Sequence, residues 1–183
     1  PGLIESHGHQ AEGQSWSLPY VGAIERFGPD GKKRPALRSI AAVVQALQAI
    51  ERGMTDPNQP LVAWNADPSF YATPAPITRQ DLDQVSATRP IIVTNASGHI
   101  LYVNSKVLDM ANYANNHSTG VMRDANGALT GELQETAAMV PAIMAAAPQL
   151  LGAKPSAEYF WNYGRVCAFR GVTTVNDGGL GAY

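Results

Sequence analysis

Apolar positions along the chain fall into short runs separated by long polar stretches. Leu3 to Ser6 reads as a short strand running into His7-Gly8-His9. From Gln10 to Lys33 the chain is rich in Gly, Ser and Pro and has no clear period. That predicts a long loop, with one helical turn near 21–27. Leu37, Ile40, Val43, Val44, Leu47 and Ile50 then recur at steps of three and four. The spacing predicts an amphipathic helix with Pro35 near its first turn and Gly53 at its end. Leu61 to Trp64 reads as a strand. Thr78-Arg-Gln-Asp81 has the form of a capping box, with Asp in place of Glu, opening a short helix through Ala87. Pro90 leads into Ile91-Ile92-Val93-Thr94, a buried-strand pattern bounded by Asn95 and Gly98.

Farther along, Ile100, Val103, Val107 and Met110 have helical spacing. Asn112 to Thr119 is a polar loop, and Asp124-Ala-Asn-Gly127 is a turn signal. Glu132 to Ala147 predicts a helix broken at Pro141. Pro155-Ser156 opens another, bearing Tyr159, Phe160, Tyr163, Val166 and Cys167, the last read as a core residue. Val172 to Val175 is β-branched throughout and predicts a strand. Short strands alternating with helices and long loops favour an α/β protein with parallel strands. In such folds sites are built in the strand-to-helix connections, which here carry most of the polar clusters.

Composition narrows the function classes. At 183 residues the chain can bury a core, and 45% hydrophobic content argues against disorder. A net charge of −2 with 13 basic residues gives no electrostatic footprint for nucleic acid. A single cysteine excludes an internal disulfide and any CxxC-type metal site. No run of 18 apolar residues occurs, so no membrane span is expected and a cytoplasmic location is the default.

The strongest chemical feature is His7-Gly8-His9. Strand alternation turns both imidazoles to one face at the mouth of a strand, a natural metal clamp. A pair of solvated loop histidines is the alternative. A cupin-type site needs an acidic residue three or four intervening positions beyond the second histidine, and Glu12 follows His9 after two. A carbonic-anhydrase-type site needs a third distant histidine, for which His99 or His117 serves by count alone. His117 lies in the Asn-rich loop and is expected to be solvated. Trp16, Trp64 and Trp161 fit either a pocket or a core.

Pro1-Gly-Leu-Ile-Glu-Ser-His-Gly-His9 closely resembles the first-strand signature of the amidohydrolase superfamily, with Glu5 in the usual Asp position. Three further segments are similar to the YtcJ-like branch, amidohydrolase family 3. They are Ser97-Gly-His99 with Asn104-Ser105, the run from Asp124 through Gly131 to Glu135-Thr-Ala137, and Gly171-Val-Thr-Thr-Val175-Asn-Asp177. The resemblance implies a metal-dependent hydrolase that attacks an amide, N-acyl or N-formyl C–N bond of a small molecule with metal-activated water. It implies His7, His9 and Glu135 as ligands of one or two divalent ions, zinc foremost. It makes His99 and Asn104 substrate contacts, and leaves Asp177 at a strand end without a role. An inert structural or interaction domain derived from the same fold is the alternative.

The same resemblance implies a (β/α)8 barrel, typically of about 250 residues. Against that size the chain reads as a partial barrel: one truncated domain over 1–183, with an insertion over 10–90 after the first strand and continuing to about the third or fourth barrel strand. The general base and two further metal-binding histidines are then expected beyond Tyr183. Open barrel edges would favour self-association.

Overall fold

Residues 1–151 and 156–178 are described by the computed structural model of the chain. In order, the elements are β1 (Leu3–Gly8), a 3-10 stretch (Gln10–Ser17), β2 (Arg26–Phe27), β3 (Lys33–Arg34), α1 (Ile40–Glu51), β4 (Leu61–Ala66), α2 (Arg79–Asp83), β5 (Ile91–Asn95) and β6 (Ile100–Val103). There follow α3 (Ser105–Met110), β7 (Val121–Arg123), β8 (Leu129–Gln134), α4 (Glu135–Ala146), α5 (Ala157–Phe169) and β9 (Val172–Asp177). No helix among the described residues is long and apolar enough to cross a membrane.

The fold is mixed α/β, and the chain divides into two units. The first comprises residues 1–19, 25–35 and 152–183; the second comprises 20–24 and 36–151. The expected outline was one domain over 1–183 with an insertion over 10–90. The second unit instead runs on to 151, because β5, β6, β8 and β7 continue the sheet that β4 begins.

In the first unit, β1 and β9 pair in parallel, with Gly8 opposite Asp177. The 3-10 stretch lies against α5, where a Cβ on Gly13 would overlap the Tyr159 carbonyl. Only glycine permits that approach of two backbones. The helical turn expected near 21–27 does not form; that segment is irregular and ends in β2. Cys167 is half-buried on α5 and not a core residue, and burial is the main cause pushing its thiol pKa up.

In the second unit, five strands form one sheet in the order β4-β5-β6-β8-β7. Only β4 and β5 are parallel; the other three pairs are antiparallel. This corrects the expectation of parallel strands, and with it the helix expected at Ile100. Four residues separate β5 from β6, with Gly98 at φ +75° in the turn. So short a link allows a hairpin but no crossover. Leu101, Tyr102 and Val103 are all buried there. The three-and-four spacing was therefore coincidental across a strand and the start of α3. The first residues of the helix expected from Glu132 likewise belong to β8.

The expected capping box is present. Thr78 accepts the Asp81 N–H, and Asp81 accepts the Thr78 N–H at 2.8 Å. α1 starts at Ile40 with Ser39 as its cap, five residues past Pro35, and buries Val43, Val44 and Leu47. α4 continues through Pro141. The buried Tyr113 hydroxyl ties that turn together by donating to the Ala138 carbonyl and accepting from the Ala142 N–H. The hydroxyl thus bridges the 142-to-138 pair in the turn that Pro141, which brings no N–H of its own, opens.

Candidate functional site

His7 lies on β1 and His9 immediately follows it, so strand alternation brings the two rings to one side. Their Nε2 atoms are 3.2 Å apart and the rings meet edge to face at 88°. Two imidazole nitrogens bound at about 2.0–2.1 Å to a tetrahedral ion lie roughly 3.3 Å from each other. Two lone pairs converging at this distance repel unless a proton or a cation lies between them. The spacing suits an N–H of one ring donating to the other, and it equally suits a divalent ion held by both rings.

Backbone and carboxylate groups hold this pair in place. The Glu5 carboxylate accepts the His7 N–H at 2.9 Å. Asp177, whose side chain is only 4% exposed, stands behind His9, with Oδ1 3.9 Å from Nδ1. Its Oδ2 accepts the Gln10 N–H at 2.9 Å. At 3.9 Å this carboxylate is at ion-pair and not hydrogen-bond distance, and its charge favours a proton on the Nδ1 that faces it, which leaves the Nε2 lone pair for a metal. Sequence reading left Asp177 without a role. Its position at the end of a strand was the available signal, and the pairing of β9 with β1 supplies the rest.

The other expected residues lie in the second unit. Glu135 is the first residue of α4, and its N–H donates to the His99 carbonyl at 2.9 Å. Its φ is +63°, in the left-handed region where a side chain costs of order 1–3 kcal/mol. His99 Nδ1 lies 3.1 Å from Glu135 Oε2, and both side chains are about 70% exposed. So exposed a pair adds little stability. Strain on an exposed carboxylate that contributes little to the fold is typical of functional positions.

Asn104 departs from the expected substrate role. It is fully buried at the N-terminus of α3. Its Oδ1 accepts the N–H groups of Ile91 and Val107, and its Nδ2 donates to the carbonyls of Ser86 and Arg89. Those four bonds use the whole capacity of an amide side chain and leave nothing for a ligand. His117 is exposed, as expected. Trp64 is buried, with its ring 5.5 Å from that of Tyr20, whereas Trp161 is 68% exposed. Among the described residues, no three His, Cys, Asp or Glu side chains are grouped so as to hold a metal.

Comparison with known proteins gives the class. Residues 1–182 match the model of the amidohydrolase family, and the chain belongs to that family. Within it, the match is to the YtcJ-like branch. The chain is 30% identical over 106 residues to "Putative amidohydrolase YtcJ" of Bacillus subtilis (strain 168). This alignment covers 56% of the chain and 20% of the relative. Two solved structures share the fold: an uncharacterized metal-dependent hydrolase from Pyrococcus horikoshii OT3 (TM-score 0.52, 19% identity) and one from Pyrococcus furiosus (TM-score 0.51, 20% identity). Each is matched over 97% of this chain, which spans 30% and 31% of their respective lengths.

Proposed function

We propose that this chain is part of a metal-dependent hydrolase acting on an amide, N-acyl or N-formyl C–N bond of a small molecule. The observation that carries the proposal is the His7–His9 pair, with Nε2 atoms 3.2 Å apart and Asp177 behind His9. Family membership supports the same reading. A divalent ion, zinc by the chemistry of imidazole ligands, supplies Lewis acidity and a bound water of lowered pKa.

The chain's own groups do the holding. His7 and His9 offer the two Nε2 lone pairs. Asp177 keeps the proton of His9 on Nδ1. Glu5 fixes the backbone at His7. Glu135 is proposed as a carboxylate ligand on the motif order alone, and His99 as a group that meets substrate. In this reading β1 and β9 are neighbouring strands of a (β/α)8 barrel. The general base is proposed to lie outside these 183 residues, so the isolated chain binds metal without turnover.

A second reading, an inert interaction domain, draws on the exposed apolar residues Leu3, Ile4, Trp161 and Phe169 of the first unit. It predicts self-association through the strand edges, measurable by sedimentation. Zinc titration separates the two readings. Stoichiometric uptake that disappears in His7→Ala plus His9→Ala is the expected result. Absence of uptake by the parent chain would sink the metal proposal. Retention by Glu135→Gln would remove Glu135 from the ligand set.

A further inference from the structure

Gly8 stands between the two imidazole-bearing residues and is buried. Strand alternation turns the place of its missing side chain to the face opposite the two rings. That face is occupied. A Cβ on Gly8 would overlap the Tyr163 hydroxyl oxygen of α5, and it would stand 2.7 Å from Val175 Cγ1 of β9 and 3.3 Å from Tyr163 Cζ. The φ of Gly8 lies outside the left-handed region, so its requirement for glycine is one of space alone.

Tyr163 reaches this place because α5 lies against the segment that follows the histidines. One turn earlier on the helix, the Tyr159 carbonyl closes on Gly13 in the same manner. Gly8 and Gly13 thus flank His9 and admit the helix on either side of it. Val175 comes from β9, the strand that also brings Asp177 opposite Gly8. No side chain of α5 is buried, so Tyr163 is not held there as a core residue. Burial first, then Cys167, push its phenol up to about 12. The hydroxyl is therefore neutral at ordinary pH and meets Gly8 as a steric stop.

His7 and His9 are joined through Gly8, so a displacement of that residue moves both rings. Their Nε2 atoms are 3.2 Å apart. Ligand distances in metal sites hold within about 0.2 Å. A methyl on Gly8 would fall short of ordinary van der Waals contact with Val175 and with the Tyr163 hydroxyl by more than that.

We propose that Tyr163 is a positioning residue of the His7–His9 pair: its hydroxyl seats on Gly8 and sets the separation of the two Nε2 atoms. The proposal rests on the reading of these histidines as metal ligands. Tyr163 acts through the backbone of Gly8 and is not itself a ligand. Removing its hydroxyl oxygen loosens the pair when Gly8 is present and relieves the overlap when a methyl is added there.

Cobalt(II), whose visible absorption reports ligand geometry, is titrated into the 183-residue chain and its variants. Tyr163→Phe should weaken the affinity roughly tenfold, as loss of a group that orients a ligand does. Gly8→Ala plus Val175→Ala removes the valine contact, leaves the methyl against the hydroxyl, and should also bind weakly. Adding Tyr163→Phe to that pair gives the methyl the space of the lost oxygen and should strengthen binding. One substitution then acts with opposite signs in two backgrounds, which a general loss of stability does not produce. The metal-free chain supplies a second readout. The His7 and His9 ring centroids are 4.9 Å apart, so a nuclear Overhauser contact between the rings is expected in the parent. It should fade in Tyr163→Phe and return in the triple variant. Parent-like affinity or an undiminished ring contact in Tyr163→Phe would overturn the proposal, as would a further loss of binding in the triple variant. Amide dispersion reports folding, and Tyr163→Phe, which removes one atom, decides the matter if the multiple variants unfold. A parent chain that takes up no cobalt defeats the metal reading, and the ring contact then tests Tyr163 by itself.

Discussion

The two units distribute stability and chemistry unequally. Among the described residues, all the buried apolar side chains, from Val21 to Ala147, belong to the second unit. Among the described residues of the first, only Gly8, Gly13 and Gly28 are buried. That unit leaves Leu3, Ile4, Phe27, Trp161 and Phe169 exposed. Yet it carries the His7–His9 pair and the carboxylate that orients it. The five-stranded unit has a core of its own, including Leu47, Ile77, Leu82, Ile91 and Val93. A pair of parallel strands with one helix cannot enclose a core. The proposed metal-binding residues here depend on strand pairing and backbone contacts more than on burial of apolar side chains.

The largest test of that contrast is a matched pair of truncations. Leu101 is 1% exposed and Ile4 is 73% exposed. Leu101→Ala should lower the urea unfolding free energy of the second unit by about 2–5 kcal/mol, and Ile4→Ala should stay within about 0.5 kcal/mol. Equal losses would break the comparison. Asn104→Ala comes next. It strands two N–H groups and two carbonyls in the interior, so a loss of about 3 kcal/mol is expected, with zinc uptake unchanged.

Asp177→Asn should act in the opposite sense. Zinc affinity should fall by about 10–100-fold while the urea midpoint of the second unit stays put. An unchanged affinity would mean that Asp177 does not position His9.

A further effect is one of pH. Burial pushes Tyr71, Tyr102 and Tyr113 in the second unit up to about 12, against an unfolded value of about 10. The folded state favours the neutral phenol. Its contribution is therefore complete below pH 10 and is lost as the pH rises towards 12. Tyr163 of the first unit is also raised to about 12, by burial first and Cys167 next. Near-ultraviolet circular dichroism between pH 9 and 12 should show three buried phenols of the second unit ionising together with loss of its fold. Independent ionisation near pH 10 would remove the linkage.

Local sequence was sufficient wherever a period or a cap decides the outcome. The apolar spacing of α1, the Thr78–Asp81 box, the Ser156 cap of α5 and the β-branched run of β9 all act within a few residues. The His7-Gly8-His9 pair was legible for the same reason, since strand alternation alone places both rings on one face. The motif order also sufficed to indicate the family.

Pairing over long separations was not legible. A run such as Ile100-Leu-Tyr-Val satisfies helix and strand spacing alike, and β5 and β8 on either side of β6 settle which it becomes. Asn104 read as a polar residue free to meet substrate, until four backbone groups from distant segments took all of its hydrogen bonds. Asp177 lies 168 positions from His9 in the sequence, and only the β1–β9 register makes it the partner of that ring. The sequence by itself thus determined which residues are candidates for the chemistry and several of the short elements that hold them. Tertiary structure decided which polar side chains are consumed by the fold and which stay available. A buried hydrogen bond depends on what the rest of the chain brings to it.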